Sequence, residues 1–164
     1  MKTLIIVRHG KSSWGYENVS DIDRPLKNRG IRNGYEMANR LVSRGIIPDK
    51  IVASPATRAL HSAMIFLRVL KVSLQDISIN EILYHGIEKD IINMVKSTDN
   101  TVNSLMIFGH NPTFTSLANL FTQGEIDNIP TTGVVILKFG SDSWESISEK
   151  TLVEEIFDYP KKES

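Results

Sequence analysis

The chain has 164 residues, a formal net charge of zero and no cysteine. Without cysteine there can be no disulfide framework, no thiolate nucleophile and no cysteine-ligated zinc. The balanced charge lacks the basic excess that nucleic-acid-binding proteins usually carry, so we expect no nucleic-acid partner.

The length favours one domain, predicted over residues 1–159, with a frayed tail at residues 160–164. The first apolar run covers only residues 4–7, whereas a signal peptide needs about 7–15 apolar residues. No segment approaches the roughly 18 apolar residues of a membrane span. We therefore expect a cytoplasmic protein with no membrane partner, and the oligomeric state stays open.

Two strands and one helix are predicted in the first third of the chain. Residues 4–7 form a continuous β-branched, apolar run, which is typical of a fully buried strand. Apolar residues then recur at helical spacing between residues 31 and 42, and Gly45 is the expected stop. Residues 50–53 are predicted to form a second, short strand.

A second helix is predicted to begin at Ser54 and Pro55. Serine is a favoured N-cap and proline a favoured first-turn residue. Apolar residues continue on one face of this helix as far as Leu67. Residues 77–83 are ambiguous between strand and helix, and a third helix is indicated around residues 91–95.

The second half of the chain continues the alternation of strands and helices. A buried strand is predicted at residues 104–108, a helix at 112–121, a strand at 132–139 and a last strand at 147–156. This order favours an α/β fold, a three-layer sandwich in which a mostly parallel central sheet carries helices on both faces.

Three polar clusters each follow directly on a predicted strand, at residues 8–10, 54–58 and 109–111. In open α/β sheets, ligands bind outside the carboxyl ends of the strands. The topology therefore predicts that these clusters share one pocket. That pocket would combine two arginines with two histidines: Arg8, Arg58, His9 and His110.

These residue types suit phosphoryl transfer. Arginine stays charged and offers a planar fork of donors to phosphate oxygens, so Arg8 and Arg58 suggest a dianionic phosphoryl group. The first turn of a helix, where Arg58 is expected, also favours an anion. His9 can attack phosphorus through one ring nitrogen if the other is held as N–H. His110 can donate to the equatorial oxygens as charge develops.

The fragment Gly10-Lys11-Ser12 resembles the end of a nucleotide-binding P-loop, but its context does not fit. The P-loop pattern needs a glycine five residues before Gly10, and Ile5 stands there inside the predicted strand. An NTPase is therefore disfavoured. A zinc site built from histidines is also disfavoured, because neither H-x-H nor H-E-x-x-H spacing occurs.

The ordered motifs resemble the signature of the histidine phosphatase (phosphoglycerate mutase-like) superfamily. The matching stretches are Arg8-His9-Gly10, Ser54-Pro55-Ala56-Thr57-Arg58-Ala59 and Gly109-His110-Asn111-Pro112. The stretch Asp21-Ile22-Asp23-Arg24-Pro25-Leu26 further resembles the D-x-x-R-P-L segment of the SixA-type phosphohistidine phosphatases. The resemblance implies that His9 is the nucleophile and that Arg8, Arg58 and His110 complete a phosphate pocket. It also implies that no metal or other cofactor is needed.

Two positions depart from the family pattern. His61-Ser62 stands where the family often has Gln-Thr, one turn after Arg58. Lys27 stands where a serine or threonine usually precedes the first helix, which makes Asn28 the candidate N-cap.

Three further residues are candidates for the same pocket. Glu81 lies in a stretch that resembles the acid-bearing segment of the mutases, and it is either a general acid or a surface residue. His85 is either a substrate contact or a structural residue. Arg24 either pairs with Asp21 or Asp23, or lines the entrance to the pocket as a substrate-binding residue.

These observations predict a metal-independent phosphatase that works through phospho-His9 on protein phosphohistidine. Imidazole leaves easily once its nitrogen is protonated, whereas an alcohol leaves badly without an acid. The short chain leaves little room for a lid, which favours an open pocket and a protein-borne substrate. One alternative is a phosphomonoesterase that acts on small phosphate esters with Glu81 as general acid. The other is a non-catalytic module that binds phosphorylated partners through Arg8 and Arg58.

Overall fold

One six-stranded sheet forms the centre of the fold in a computed structural model that describes residues 1–161. The strands are β1 (Lys2–Arg8), β2 (Lys50–Ala53), β3 (Ile77–Ile79), β4 (Ser104–Gly109), β5 (Val134–Phe139) and β6 (Leu152–Asp158). Their spatial order is β3-β2-β4-β1-β5-β6. The first four strands in that order are parallel, β5 runs antiparallel to β1, and β6 runs antiparallel to β5.

Helices cover both faces of this sheet. The helices are α1 (Asn28–Ser43), α2 (Thr57–Leu70), α3 (Ile82–His85), α4 (Glu88–Lys96) and α5 (Thr113–Thr122). Apolar residues of α1 and α2 form one core with one face of the sheet, and residues of α3, α4 and α5 form the second core with the other face. This arrangement confirms the predicted three-layer α/β sandwich with a mostly parallel sheet.

The position of β1 explains its uninterrupted apolar run. The strand lies between β4 and β5, so both of its edges are paired, and the helical layers cover both of its faces. Ile5 and Val7 belong to the core under α1 and α2, and Leu4 and Ile6 belong to the core on the opposite face. Successive side chains of a strand point to opposite faces, and here each face requires an apolar residue.

The start of α2 differs from the prediction, because Ser54 is not its N-cap. The helix begins at Thr57, and Ala56 holds the cap position without a side-chain hydrogen bond. The Ser54 Oγ instead accepts a hydrogen bond from the Ala56 backbone N–H and lies 2.8 Å from Nε2 of His110. The serine hydroxyl therefore forms a contact between the segment before α2 and the loop after β4. Local helix preferences do not reveal such a contact.

Other boundaries differ by smaller amounts. Asn28 is the first residue of α1, and the N-cap is Lys27, which makes no capping hydrogen bond with its side chain. The ambiguous run 77–83 divides into β3 and the start of α3. The strand predicted at 132–139 begins at Val134, because Thr132 has a φ of 59° in the left-handed region that a strand does not contain.

The C-terminal strand is also displaced from its predicted position at residues 147–156. It covers Leu152–Asp158, and Ile147 is buried in the core before the strand begins. Of the predicted frayed tail, residues 160 and 161 have no regular structure, and residues 162–164 lie outside the described residues. The single domain over residues 1–159 stays a prediction. None of the helices within residues 1–161 combines the length and the apolar character that a membrane crossing requires.

Two glycines allow the loop after β1 to approach the first turn of α1. A β-carbon on Gly30 would overlap the backbone of Lys11, 2.9 Å from its amide nitrogen. A β-carbon on Gly10 would lie 3.1 Å from the carbonyl oxygen of Gly30. The Lys27 backbone N–H also donates to the carbonyl oxygen of Lys11 over 2.8 Å. The close approach fixes α1 against the loop that contains His9.

We expect Gly30→Ala to lower the free energy of unfolding by about 1–3 kcal/mol, because backbone atoms must shift to admit the methyl group. Gly15→Ala is the matched control, since its β-carbon would meet nothing closer than a side-chain oxygen at 3.5 Å. Urea denaturation of both variants measures the difference. Equal unfolding free energies would contradict the close approach.

Candidate active site

The parallel pairing of β1 with β4 places the two predicted histidines side by side. Arg8 is paired with Gly109 in the strand register, so His9 and His110 are the next residues of their chains. The His9 backbone N–H donates to the carbonyl oxygen of Gly109 over 3.1 Å. The centroids of the His9 and His110 rings are 5.0 Å apart. The carboxyl ends of these two strands therefore form one site.

Helix α2 brings Arg58 to the same site. Arg58 is the second residue of the helix, its side chain is buried, and its Nη2 lies 3.4 Å from Nδ1 of His110. One turn later, the Ser62 hydroxyl donates to the carbonyl oxygen of Arg58 and accepts from the Gly10 backbone N–H. Ser62, one of the positions that departs from the family pattern, thus links α2 to the loop after β1.

These elements surround a pocket of about 220 Å³. Its lining residues come from the loops after β1 and β4, the start of α2 and the segments that flank them: Arg8, His9, Lys11, Ser12, Trp14, Arg24, Arg58, His110, Asn111 and Thr131. Three arginines and a lysine make the pocket positive, and no Asp or Glu of residues 1–161 is in this set. Such a pocket attracts an anion.

The structure brings five of the seven candidate residues together and leaves two outside the lining. Arg24 lines the pocket and also pairs with Asp21, so both interpretations of this residue hold. Glu81 is exposed immediately before α3 and does not line the pocket. His85 is exposed as well, and its ring contacts that of Tyr84, which in turn lies 5.4 Å from the His110 ring.

The ring of His9 is held in one orientation by its own loop. Its Nδ1 lies 2.7 Å from the carbonyl oxygen of Gly10, and the side chain is buried. A carbonyl oxygen can only accept, so Nδ1 must carry the hydrogen of this bond. In the neutral ring, Nε2 is then unprotonated and has a lone pair available for attack.

The ring of His110 is held as the opposite tautomer. Arg58 can only donate, so Nδ1 of His110 is the acceptor of the 3.4 Å contact with Nη2 of Arg58. The hydrogen of the neutral ring therefore lies on Nε2, which donates to Oγ of Ser54 over 2.8 Å. Both ring nitrogens of His110 are thus engaged, whereas Nε2 of His9 retains a lone pair.

Both histidines are kept neutral by their surroundings. Burial lowers the pKa of His9 to about 3, against a smaller opposing effect of the Gly10 carbonyl, and His110, Arg58 and Arg8 lower it further. Burial and then the charge of Arg58 lower the pKa of His110 to about 4, although Asp21 opposes the change. A buried imidazolium beside arginines is unfavourable, so the unprotonated rings dominate near neutral pH.

The arginines have more donors than the protein uses. Arg8 Nη1 donates to the carbonyl oxygen of Ile129 over 2.9 Å. Within residues 1–161, however, Nε of Arg8, Nη1 of Arg24 and Nε of Arg58 are buried without a hydrogen-bond partner. A buried donor left unpaired costs about 1–3 kcal/mol. This surplus of donors suits a site that binds an oxyanion.

Asp21 holds two of these arginines in place, a role that the sequence left open. Its carboxylate accepts from Nε of Arg24 (3.2 Å), from Nη2 of Arg58 (3.1 Å) and from the Tyr84 hydroxyl (2.7 Å). Its backbone carbonyl accepts from Nη1 of Arg58 over 2.6 Å. The hydrogen bond from Tyr84, followed by that from Arg58, lowers the pKa of Asp21 to about 2, so this carboxylate is ionised and no proton donor.

Two aromatic residues of the site gave no signal in the sequence. Tyr84 directly follows the ambiguous run 77–83 and reaches Asp21 only after folding. Trp14 lies in the loop after β1, where the sequence shows no helical periodicity. Its ring centroid lies 3.4 Å from Cζ of Arg24, a stacked cation–π contact. Asp21 and Arg24 belong to the segment that resembles D-x-x-R-P-L. That resemblance was the sequence feature that could indicate this part of the site.

Residues 1–161 contain no group of three or more His, Asp or Glu side chains that could hold a metal ion.

Fold and pocket together define the class: an α/β protein with two buried or half-buried histidines in a cationic pocket at the strand ends. The family described as "Histidine phosphatase superfamily (branch 1)" matches residues 4–92, and the chain belongs to that superfamily. This membership and the shared fold support a phosphatase.

Known proteins share the fold or parts of the sequence. The structure of a protein histidine phosphatase SixA in complex with tungstate has a TM-score of 0.77 at 20% identity, over 96% of this chain and 94% of that one. An uncharacterised chloroplastic protein of Arabidopsis thaliana is 25% identical over 155 residues, 88% of this chain and 69% of the relative. A 2,3-bisphosphoglycerate-dependent phosphoglycerate mutase of Clavibacter michiganensis subsp. michiganensis is 33% identical over 69 residues, 41% of this chain and only 28% of the mutase.

We expect the rings of His9 and His110 to stay neutral from about pH 7.5 to about pH 5, in contrast to an ordinary histidine of pKa near 6.5. Their Cε1–H resonances, assigned with His9→Ala and His110→Ala, should not move over this range. The unfolded chain binds these protons at higher pH than the folded one. Stability therefore falls as the pH drops through about 6.5 towards the folded pKa values. A midpoint near 6.5 for either ring would contradict this prediction.

We expect Asp21→Ala to lower kcat/KM for phosphoramidate about tenfold, because Arg58 loses one of its two anchors and Arg24 loses its ion pair. Asp23→Ala is the control, since the exposed carboxylate of this neighbour accepts a hydrogen bond from Ser20 and from no other residue between 1 and 161. A higher activity of Asp21→Ala would show that the charge of Asp21 repels the substrate more than it positions the arginines.

Proposed function

We propose that this chain is a phosphohistidine phosphatase that works through a phosphorylated His9. The observation that carries the proposal is the composition of the pocket. It joins a histidine with an available Nε2 to three arginines, and none of the described residues in its lining is a carboxylic acid. The proposal includes a cytoplasmic location and a reaction that needs no metal or other cofactor.

In the first step, Nε2 of His9 attacks the phosphorus of the substrate. A bond forms between phosphorus and Nε2, and the bond between phosphorus and the substrate nitrogen breaks. The departing imidazole takes up a proton from solvent. The Gly10 carbonyl supports this step, because it holds the Nδ1 hydrogen and stabilises the positive charge that the His9 ring acquires.

In the second step, water hydrolyses the phosphorylated enzyme. The oxygen of water bonds to phosphorus as the bond to Nε2 breaks, inorganic phosphate leaves, and the surplus proton passes to solvent. His9 returns to its neutral form, which its low pKa favours. No carboxylate of the described lining competes with phosphate for the arginines.

The arginines and His110 are assigned to the phosphoryl group. Arg8 and Arg58 line the pocket beside His9, and Asp21 holds Arg58 with two hydrogen bonds. His110 contributes a donor when its Nε2 hydrogen turns from Ser54 to a phosphoryl oxygen. Fixed donors of this kind stabilise the charge that spreads over the oxygens in the transition state.

The type of leaving group that the site can expel follows from its lining, in which none of the described residues is a carboxylic acid. An alkoxide is a strong base and needs a proton donor as it departs, whereas an imidazole nitrogen with a pKa near 6.5 is protonated readily by water or buffer. Asp21 is ionised and Glu81 does not line the pocket. The geometry therefore supports a phosphorus–nitrogen substrate over a phosphate ester.

Two alternatives are kept as outcomes of the test. A phosphomonoesterase for small phosphate esters would need Glu81 to reach the pocket as an acid. A module that only binds phosphorylated partners through Arg8 and Arg58 would have no use for the lone pair of His9.

The test is phosphate release from a phosphohistidine peptide and from an alkyl phosphate, without added metal. We expect rapid release from the peptide and slow release from the ester, because only the first has a leaving group that needs no acid. His9→Ala should lower the peptide rate by about a thousandfold or more, since the nucleophile is lost.

His61→Ala is the matched control, because His61 lies on α2 outside the pocket lining. Rapid release from both substrates would favour the phosphomonoesterase. Binding of inorganic phosphate with no release from either substrate would favour the binding module. An active His9→Ala variant would rule out the covalent mechanism.

A further inference from the structure

A second, smaller hollow opens beside the phosphate pocket and shares two of its walls. Its volume is about 110 Å³, and Trp14 and Arg24 line both cavities. Tyr16 and Val19 complete the apolar part of its lining. We refer to Trp14, Tyr16 and Val19 as the aromatic shelf. A ligand bound in the phosphate pocket would extend directly onto this surface.

The aromatic shelf presents apolar surface that the fold itself does not bury. The exposed fraction is 77% for Trp14, 61% for Tyr16 and 36% for Val19. A cluster of apolar side chains contributes little to stability while it stays in water, and its burial by a partner is favourable. Tryptophan and tyrosine are also the residues that most often provide binding energy at the centre of interfaces.

The shelf is held against the phosphate pocket by contacts of its own segment. The Trp14 ring stacks on the guanidinium of Arg24, which is paired with Asp21. The Ser13 backbone N–H donates to the carbonyl oxygen of Pro25 over 2.9 Å, and Ser12 forms a bridge with Leu26. A surface ordered before binding loses less entropy when a ligand binds.

We propose that the aromatic shelf binds an apolar side chain of the substrate protein, close in sequence to its phosphohistidine. The inference rests on the proposed function and adds a determinant of substrate choice. The two cavities offer complementary chemistry: positive charge for the phosphoryl group and, for its neighbour, a hollow of the size of one side chain. The aromatic shelf forms the apolar wall of this hollow, and Ser13, Asp21 and Arg24 form its polar wall. A small phosphate compound would fill only the first cavity, so the shared walls favour a peptide that spans both.

The experiment uses phosphohistidine peptides made of glycine and serine, with a single leucine moved along the flanks of the phosphohistidine. The enzyme forms are the wild type, a Tyr16→Ala/Val19→Ser double variant and a Tyr35→Ala/Val42→Ser control. The control removes an exposed tyrosine and an exposed valine from α1, away from both cavities. Phosphoramidate, which has no flanking residues, reports the chemistry alone.

At one leucine position, we expect wild-type kcat/KM to exceed that of the leucine-free peptide by about tenfold, mostly through KM. The control should keep this preference, and the shelf variant should lose it while turning over phosphoramidate at the wild-type rate. The comparison is a double-mutant cycle between enzyme and peptide, so a general loss of activity cannot produce a selective loss of the leucine preference.

Equal rates for all peptides with the wild type would overturn the shelf and leave the proposed function intact. Hydrolysis of phosphoramidate without hydrolysis of any peptide would overturn the assignment to protein phosphohistidine and the shelf with it, and would leave a phosphatase for small phosphorus–nitrogen compounds. Failure to hydrolyse both peptides and phosphoramidate would overturn the proposed function and the shelf with it. A change in oligomeric state confined to the shelf variant, seen by light scattering, would assign the surface to a second copy of the chain instead.

Discussion

The site depends on the register between β1 and β4. Because Arg8 is paired with Gly109, the residues that follow, His9 and His110, leave the sheet at the same level. The backbone N–H of His9 then continues the ladder to the carbonyl oxygen of Gly109. A shift of one residue would reverse the faces of all β1 side chains and separate the two rings, so the two hydrophobic cores also fix the geometry of the candidate site.

A second constraint is electrostatic. Arg8, Arg24 and Arg58 lie close together, and their mutual repulsion is offset by a carboxylate outside the pocket lining, that of Asp21. The position of this carboxylate leaves the pocket positive while the guanidinium groups are held. The same charges, together with burial, keep both histidines unprotonated. One arrangement thus keeps the pocket positive and both rings neutral, and Tyr84 completes it from a different segment.

Much of the fold was predictable because local and tertiary requirements agree along most of the chain. The apolar run of β1 follows directly from its central position, and the polar clusters after β1 and β4 lie at a strand end where side chains can leave the core. Prediction failed at Ser54, where two requirements compete. Its hydroxyl would suit a helix cap, but the contact with His110 positions it in the loop before α2. Strand β5 begins two residues later than predicted, because Thr132 has a left-handed backbone conformation that β-propensity does not reveal.

The sequence by itself determined the order of elements and the apolar cores, and it predicted that His9, Arg8, Arg58 and His110 share one pocket. These features follow from periodicity and from the position of polar clusters at strand ends. Only the tertiary structure decided which nitrogen of each histidine carries the hydrogen, and that Glu81 and His85 stay outside the pocket lining. It also decided that Asp21 and Tyr84 hold the arginines and that Trp14 borders two cavities. The reason is physical: these properties depend on distances between segments far apart in the chain, and local sequence preferences do not encode such distances.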